Sequence, residues 1–346
     1  MAIRKELPVT RRYADPGSVS ARLFRQAQSV MPGGNSRTSV FIAPYPPYAA
    51  EGAGCWLTDA DGDRRLDLLN NYTSLIHGHA HPSITEAATR RLARGASFPL
   101  PTQEEIELAS LLVERLPAVD QVRFTNSGSE AVMMAIKAAR GFTDRTKIAK
   151  FEGAYHGSYD YAEVSLSSTP ENWGSLAEPA SVAYARGTPP SVLQDVIVLP
   201  FNRPELAARR IERHARELAA VIVDPVPNRI GLMPGTREFL EALRAVTAAH
   251  GILLIFDEVI SFRVGYHGAQ GYFGVRPDLT TLGKIIGGGF PVGAVAGRAD
   301  VMGVFDPRGG KPIVPHAGTF NANPVTMAAG LAAMRLLDRA AFDRLD

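Results

Sequence analysis

Ile252-Leu253-Leu254-Ile255-Phe256-Asp257-Glu258-Val259 is a run of five apolar residues closed by two carboxylates. That is the pattern of a strand buried on both faces whose carboxyl end opens onto polar chemistry. The same unit recurs on either side. Short β-branched runs at 121–125, 147–151, 196–199, 219–223 and 292–296 alternate with amphipathic stretches at 104–116, 129–140, 204–218 and 236–250. Strands almost continuous in apolar residues, separated by helices, predict an α/β fold with a mostly parallel sheet covered by helices on both faces. Ligands of such sheets bind beyond the carboxyl ends of the strands, so each residue that follows a strand is a candidate for function.

The chain has 346 residues, 45% of them apolar, enough for one large or two medium domains with a buried core. Its 37 basic and 35 acidic residues nearly balance, and its paired arginines (Arg11-Arg12, Arg64-Arg65, Arg90-Arg91, Arg209-Arg210) are scattered. Neither nucleic acid nor a membrane is therefore an expected partner. The first 18 residues carry no apolar core of a secretory signal, and one cysteine, Cys55, suits a reducing compartment, so the expected location is the cytoplasm. Between Gly54 and Trp56, Cys55 reads as a small buried filler. Residues 20–31 predict a helix stopped by Pro32-Gly33-Gly34. Residues 55–58 and 64–69 predict a hairpin around Asp59-Ala60-Asp61-Gly62, whose glycine comes too early for a calcium loop. Residues 167–190, rich in Ser, Pro, Gly and Ala, read as a long surface loop.

Four segments at or after strand ends carry the chemistry. Asn126-Ser127-Gly128-Ser129-Glu130 has the spacing of a helix capping box, and it is equally a phosphate cradle with N–H groups and the positive end of a helix dipole facing a ligand. Gly153-Ala154-Tyr155-His156-Gly157 offers an aromatic ring that could lie flat on a planar ligand. Asp257, at a strand end, needs a cationic or hydrogen-bonding partner, which an arginine or a protonated pyridine nitrogen would supply equally well. Lys284, in Leu279-Thr280-Thr281-Leu282-Gly283-Lys284-Ile285-Ile286-Gly287-Gly288-Gly289, has no other charge within five residues. A desolvated lysine has a lowered pKa and becomes a usable amine nucleophile.

Together with His316-Ala317-Gly318-Thr319-Phe320-Asn321-Ala322-Asn323-Pro324, these motifs resemble, in order and spacing, the class III pyridoxal-phosphate aminotransferases of fold type I, from about Arg22 onward. Within that family the chain is similar to the β-phenylalanine aminotransferases and to glutamate-1-semialdehyde 2,1-aminomutase. The resemblance implies pyridoxal 5′-phosphate held as a Schiff base on Lys284, with Asp257 paired to the pyridinium nitrogen. It places Ser127, Gly128 and Ser129 at the phosphate, Tyr155 on one ring face with His156 beside it, and Val259 on the other face. Thr319 is implied to reach the phosphate of a partner subunit, making a homodimer with shared active sites. The implied partners are a small amino donor and a keto acceptor that exchange an amino group by a ping-pong mechanism.

The β-amino-acid transaminases also have an arginine matching Arg37 in Asn35-Ser36-Arg37, and Tyr72 matches them as well, so both are expected at the substrate carboxylate. Asp224-Pro225-Val226-Pro227-Asn228-Arg229 departs from the aminomutase pattern, and Arg229 offers a second anion site or an ordinary surface charge. His77, His79 and His81 lie at alternate positions, but the related loops bind no metal, and none is expected here. The expected organisation is a helix and hairpin segment over 1–70, a large cofactor-binding domain over 71–316, and the start of a smaller α+β domain over 317–346 that the resemblance implies to be incomplete. The alternatives are an isomerase of the aminomutase type and a non-catalytic protein of the same fold.

Overall fold

The computed structural model describes residues 14–345, which form two compact units, one up to Pro82 and one from Ser83. In the first, α1 (Val19–Gln28) starts at Ser18, whose hydroxyl accepts the Ala21 N–H at 3.1 Å. An antiparallel sheet follows, of β1 (Ala49–Ala53), β2 (Trp56–Asp59) and β3 (Arg64–Leu66). The Asp-Gly turn is a turn because buried Asp59 accepts the N–H groups of Asp61 and Asp63, and Arg65 answers its charge at 2.9 Å. β3 stops at Leu66, short of the predicted Leu69, because the Asp67 carboxylate takes the N–H groups of Leu69 and Asn70 and turns the chain. Cys55 is exposed, not buried: it is the tight turn between β1 and β2, outside either strand. β1, Ala-Ala-Glu-Gly-Ala, carries no alternation and had not been predicted.

The second unit holds a seven-stranded sheet of β4 (Gln121–Thr125), β5 (Lys147–Phe151), β6 (Val196–Leu199), β7 (Leu218–Val223), β8 (Leu253–Asp257), β9 (Leu279–Gly283) and β10 (Gly293–Gly297). Its order is β4-β10-β9-β8-β7-β5-β6, and β10 alone runs against its neighbours. Helices of seven or more residues in this unit are α2 (Pro82–Leu92), α3 (Gln103–Arg115), α4 (Gly128–Thr143), α5 (Pro204–Arg213), α6 (Arg237–Ala249), α7 (Pro324–Leu336) and α8 (Arg339–Leu345).

Both faces of the sheet are buried, as the unbroken apolar strands require. On β7, Ala220 and Ile222 enter one core with α4, while Val221 and Val223 enter another with Phe239 and Leu243 of α6. α5 ends at Arg213, earlier than its apolar pattern suggests, because His214 turns the chain into β7. Residues 167–189 contain no helix and no strand beyond one bridge between Gly174 and Pro179.

Candidate active site

The site in the second unit is built from strand ends. After β4, the Ser127 hydroxyl accepts the Glu130 N–H at 3.2 Å and Glu130 Oε2 accepts the Asn126 N–H at 2.7 Å. The serine cap, with Glu130 reaching back one residue beyond it, starts α4 at Gly128 and leaves its first N–H groups at the positive end of the dipole. Glycine leaves Val259 its place there, since a Cβ on Gly128 would lie 3.0 Å from both of its methyls and the valine would have to give way. The loop after β5 is tied to the same turn: Ser158 N–H donates to Ser129 Oγ at 3.1 Å. At Gly157, φ is +91° and a Cβ would meet Ser129 Oγ at 2.4 Å.

Asp257, 4% exposed, ends β8 and accepts three hydrogen bonds: from His156 Nδ1 at 2.7 Å, Thr281 Oγ1 at 3.0 Å and its neighbour's N–H at Val259 at 3.1 Å. Burial pushes the imidazole of His156 below its ordinary range against the pull of Asp257, so the ring is neutral and donates through Nδ1. Thr281 was not among the sequence candidates. The register that pairs Asp257 with Thr281 on adjacent parallel strands puts them together, and no local pattern shows it.

Asp224 was also missed as a site residue, although it comes directly after β7, level with Asp257 at the end of β8. Val223 pairs with Phe256, so the next residue on each strand is a buried carboxyl. Asp224 accepts the Val226 N–H at 2.9 Å; burial and then the charge of Asp257 push its pKa up to about 8. Glu258, fully buried, is tied away by Ala269 N–H at 2.6 Å and Gln270 Nε2 at 2.9 Å, and burial lifts it to about 7.

Lys284 leads the turn Lys284–Gly287 directly after β9, with φ at +49°, a conformation that only surrounding structure holds in a non-glycine residue. Burial lowers its amine pKa, and the charges of Asp257 and Asp224 oppose the drop. Tyr155 is 38% exposed on the loop that carries His156. Val259 packs between Gly128 and Gly283. Thr319 is exposed in the loop before α7.

Arg37 and Tyr72 lie in the first unit and come together there. The Arg37 guanidinium sits 5.8 Å over the Tyr72 ring and bonds Asn71 Oδ1 at 3.0 Å, and the Tyr72 hydroxyl donates to the Ser39 carbonyl at 2.8 Å. Residues 70–73 all have positive φ, from 43° to 70°, a strained run in non-glycine residues. In the same unit His79 Nε2 is engaged by Asp67 at 2.7 Å, while the His77 and His81 rings meet edge on at 5.7 Å. Arg229, exposed, donates to Ser167 Oγ at 3.1 Å in the long loop of the second unit.

A sequence model of the family described as aminotransferase class-III matches residues 43–345. A glutamate-1-semialdehyde 2,1-aminomutase of Methanothermobacter thermautotrophicus is 44% identical over 94% of this chain and 75% of its own length. An omega-transaminase structure from Sphaerobacter thermophilus superposes with a TM-score of 0.94 at 61% identity, covering 96% of this chain and 76% of its own. A β-phenylalanine aminotransferase structure from Variovorax paradoxus gives 0.82 at 42% identity, over 93% and 70%.

Proposed function

The chain belongs to the class III aminotransferases, and on that premise we propose that it moves an amino group between an amino acid, β-amino acids among them, and a keto acid by a ping-pong cycle. Its fold is that of the fold type I enzymes, and its cofactor is pyridoxal 5′-phosphate. The residues at the strand ends fit that group: a desolvated amine, a buried carboxyl with three donors fixing it, and a helix N-terminus beside two hydroxyls. The observation that carries the reading is the placement of Asp257 and Lys284 at the ends of the paired strands β8 and β9.

When bound, the cofactor supplies an electron sink for the bond broken at the substrate carbon. In the proposed mechanism Asp257, oriented by His156 and Thr281, holds the proton on the pyridine nitrogen. Ser127, Gly128 and Ser129 bind the phosphate, with Thr319 of a second copy completing that contact in a homodimer. Tyr155 and Val259 flank the ring. Lys284 Nζ holds the cofactor at rest and, once released by substrate, moves the proton at the substrate carbon. Arg37 binds the substrate carboxylate through its planar fork, with Tyr72 beneath it.

Transamination is favoured by the 61% and 42% identities to the two transaminase structures. Isomerisation is the second reading, favoured by the aminomutase relative at 44%. One experiment separates them. Purified protein loaded with cofactor receives a β-amino acid without acceptor, and a transaminase stops at one equivalent of keto product until a keto acid is added. Conversion of glutamate-1-semialdehyde with no acceptor present establishes the isomerase instead. Lys284→Ala is expected to lose the visible band of covalently held cofactor and all measurable turnover; a wild-type band in that variant removes Lys284 from its role.

A further inference from the structure

Arg123, at the middle of β4, directs its Nε–H to His316 Nδ1 at 2.8 Å. His316 Nε2 lies 3.1 Å from the side-chain amide of Asn321, and the far end of that amide lies 2.8 Å from the side-chain amide of Asn126. Asn126 is the residue before the turn at 127–129, and Thr319 sits inside the loop that His316 and Asn321 close. A guanidinium only donates, so Nδ1 carries the lone pair and the ring hydrogen is on Nε2. Asn321 therefore turns its oxygen to His316 and its NH₂ to Asn126, and Asn126 must turn its own amide oxygen, in place of its NH₂, to accept it. The chain of hydrogen bonds runs one way, from Arg123 through His316 and Asn321 to Asn126. Gly318 leaves room for it, since a Cβ there would fall 2.4 Å from the Asn321 amide.

We propose that His316 is a positioning residue that, through Asn321, fastens the loop carrying Thr319, which serves the second copy's phosphate, to this chain's own turn at 127–129, and so sets how tightly the phosphates of the two sites are held. The proposal rests on the reading of Ser127, Ser129 and Thr319 as phosphate contacts. The groups that face His316 are Arg123 from β4, Glu130 and Lys137 from α4, and the Phe305 ring at 6.0 Å. Burial and then Arg123 hold its pKa below the ordinary range, Lys137 adds to this and Glu130 opposes it, so the ring is neutral at physiological pH. Protonation in acid sets Nδ1–H against the Arg123 N–H, donor against donor, and the first link is lost.

The test titrates apo-protein with pyridoxal 5′-phosphate and with pyridoxal, which lacks the phosphate. His316→Phe is expected to weaken the phosphorylated ligand roughly tenfold and leave pyridoxal unchanged, and Asn321→Ala to reproduce the effect without touching the histidine. Wild-type preference for the phosphorylated ligand should fall as pH drops through the histidine's range, whereas that of His316→Phe should not follow that step. Loss shared equally by both ligands, or no loss, in folded His316→Phe and Asn321→Ala overturns the proposal when Ser129→Ala still shows the phosphate-selective loss. If Ser129→Ala shows none either, the reading of the phosphate turn fails first.

Discussion

Asp224 carries a pH signature of its own. In an unfolded chain it titrates at about 3.9, the ordinary value for the residue, whereas folded it keeps its proton up to about 8. Between those limits the folded state binds a proton that the unfolded state has lost. Stability therefore falls as pH rises across that window and levels off above it. Asp224→Asn keeps the acceptor for the Val226 N–H and removes the ionisation. The drop in melting temperature from pH 5 to pH 8 is expected to shrink by about 2–4 °C; the same drop in both proteins, followed by scanning calorimetry, means that Asp224 is already ionised in the fold. His156 supports a second expectation. His156→Phe takes away one of the three donors to Asp257, and kcat should fall roughly 10- to 100-fold, with steady-state rates as the measure.

Single elements were legible in the sequence where burial dictates the pattern. β6, Val-Ile-Val-Leu and buried throughout, begins and ends where its β-branched run does, because a strand covered on both faces leaves little room for polar residues; β4 and β5 keep their predicted bounds too, with Arg123 and Lys150 inside them. β1 and the exposed Cys55 were not legible, since a short sheet with one face in water imposes no apolar run. Motifs locate residues along the chain, but partners come from strand order. His156 and Asp257 are 101 residues apart and meet only because β5 and β8 both flank β7. Close packing between elements is equally invisible to periodicity. Gly293 on β10 is such a case: a Cβ there would lie 2.0 Å from the Ser127 carbonyl oxygen and 2.4 Å from Thr125 Oγ1. Backbone cannot step aside as a side chain can, so Gly293→Ala should cost about 1–3 kcal/mol of stability and push the turn at 127–129, the proposed phosphate site, out of place. Thermal melts and cofactor titration check this together; a variant with wild-type melting and affinity shows that β10 can shift.

At the scale of the molecule, the homodimer is an expectation that resemblance supplied and no local pattern could. Phe320 lies in a glycine- and asparagine-containing loop without periodicity, yet it is 59% exposed, and Leu100 is 72% exposed. Both line, with Thr319, a groove of about 590 Å³. Two large apolar side chains turned outward beside a residue proposed to serve a second copy's phosphate are a surface suited to association. If the phosphate contact is shared, association and cofactor binding are linked: each must strengthen the other by the same factor. Phe320→Glu buries a charge in that contact and is expected to shift sedimentation equilibrium toward the monomer. It should also weaken pyridoxal 5′-phosphate binding, although Lys284, Asp257 and the 127–129 turn are unaltered. Dilution of the wild type should do the same without any mutation. A wild-type protein whose cofactor affinity stays constant while it dissociates has a complete site within one chain, and Thr319 then has no role across the interface.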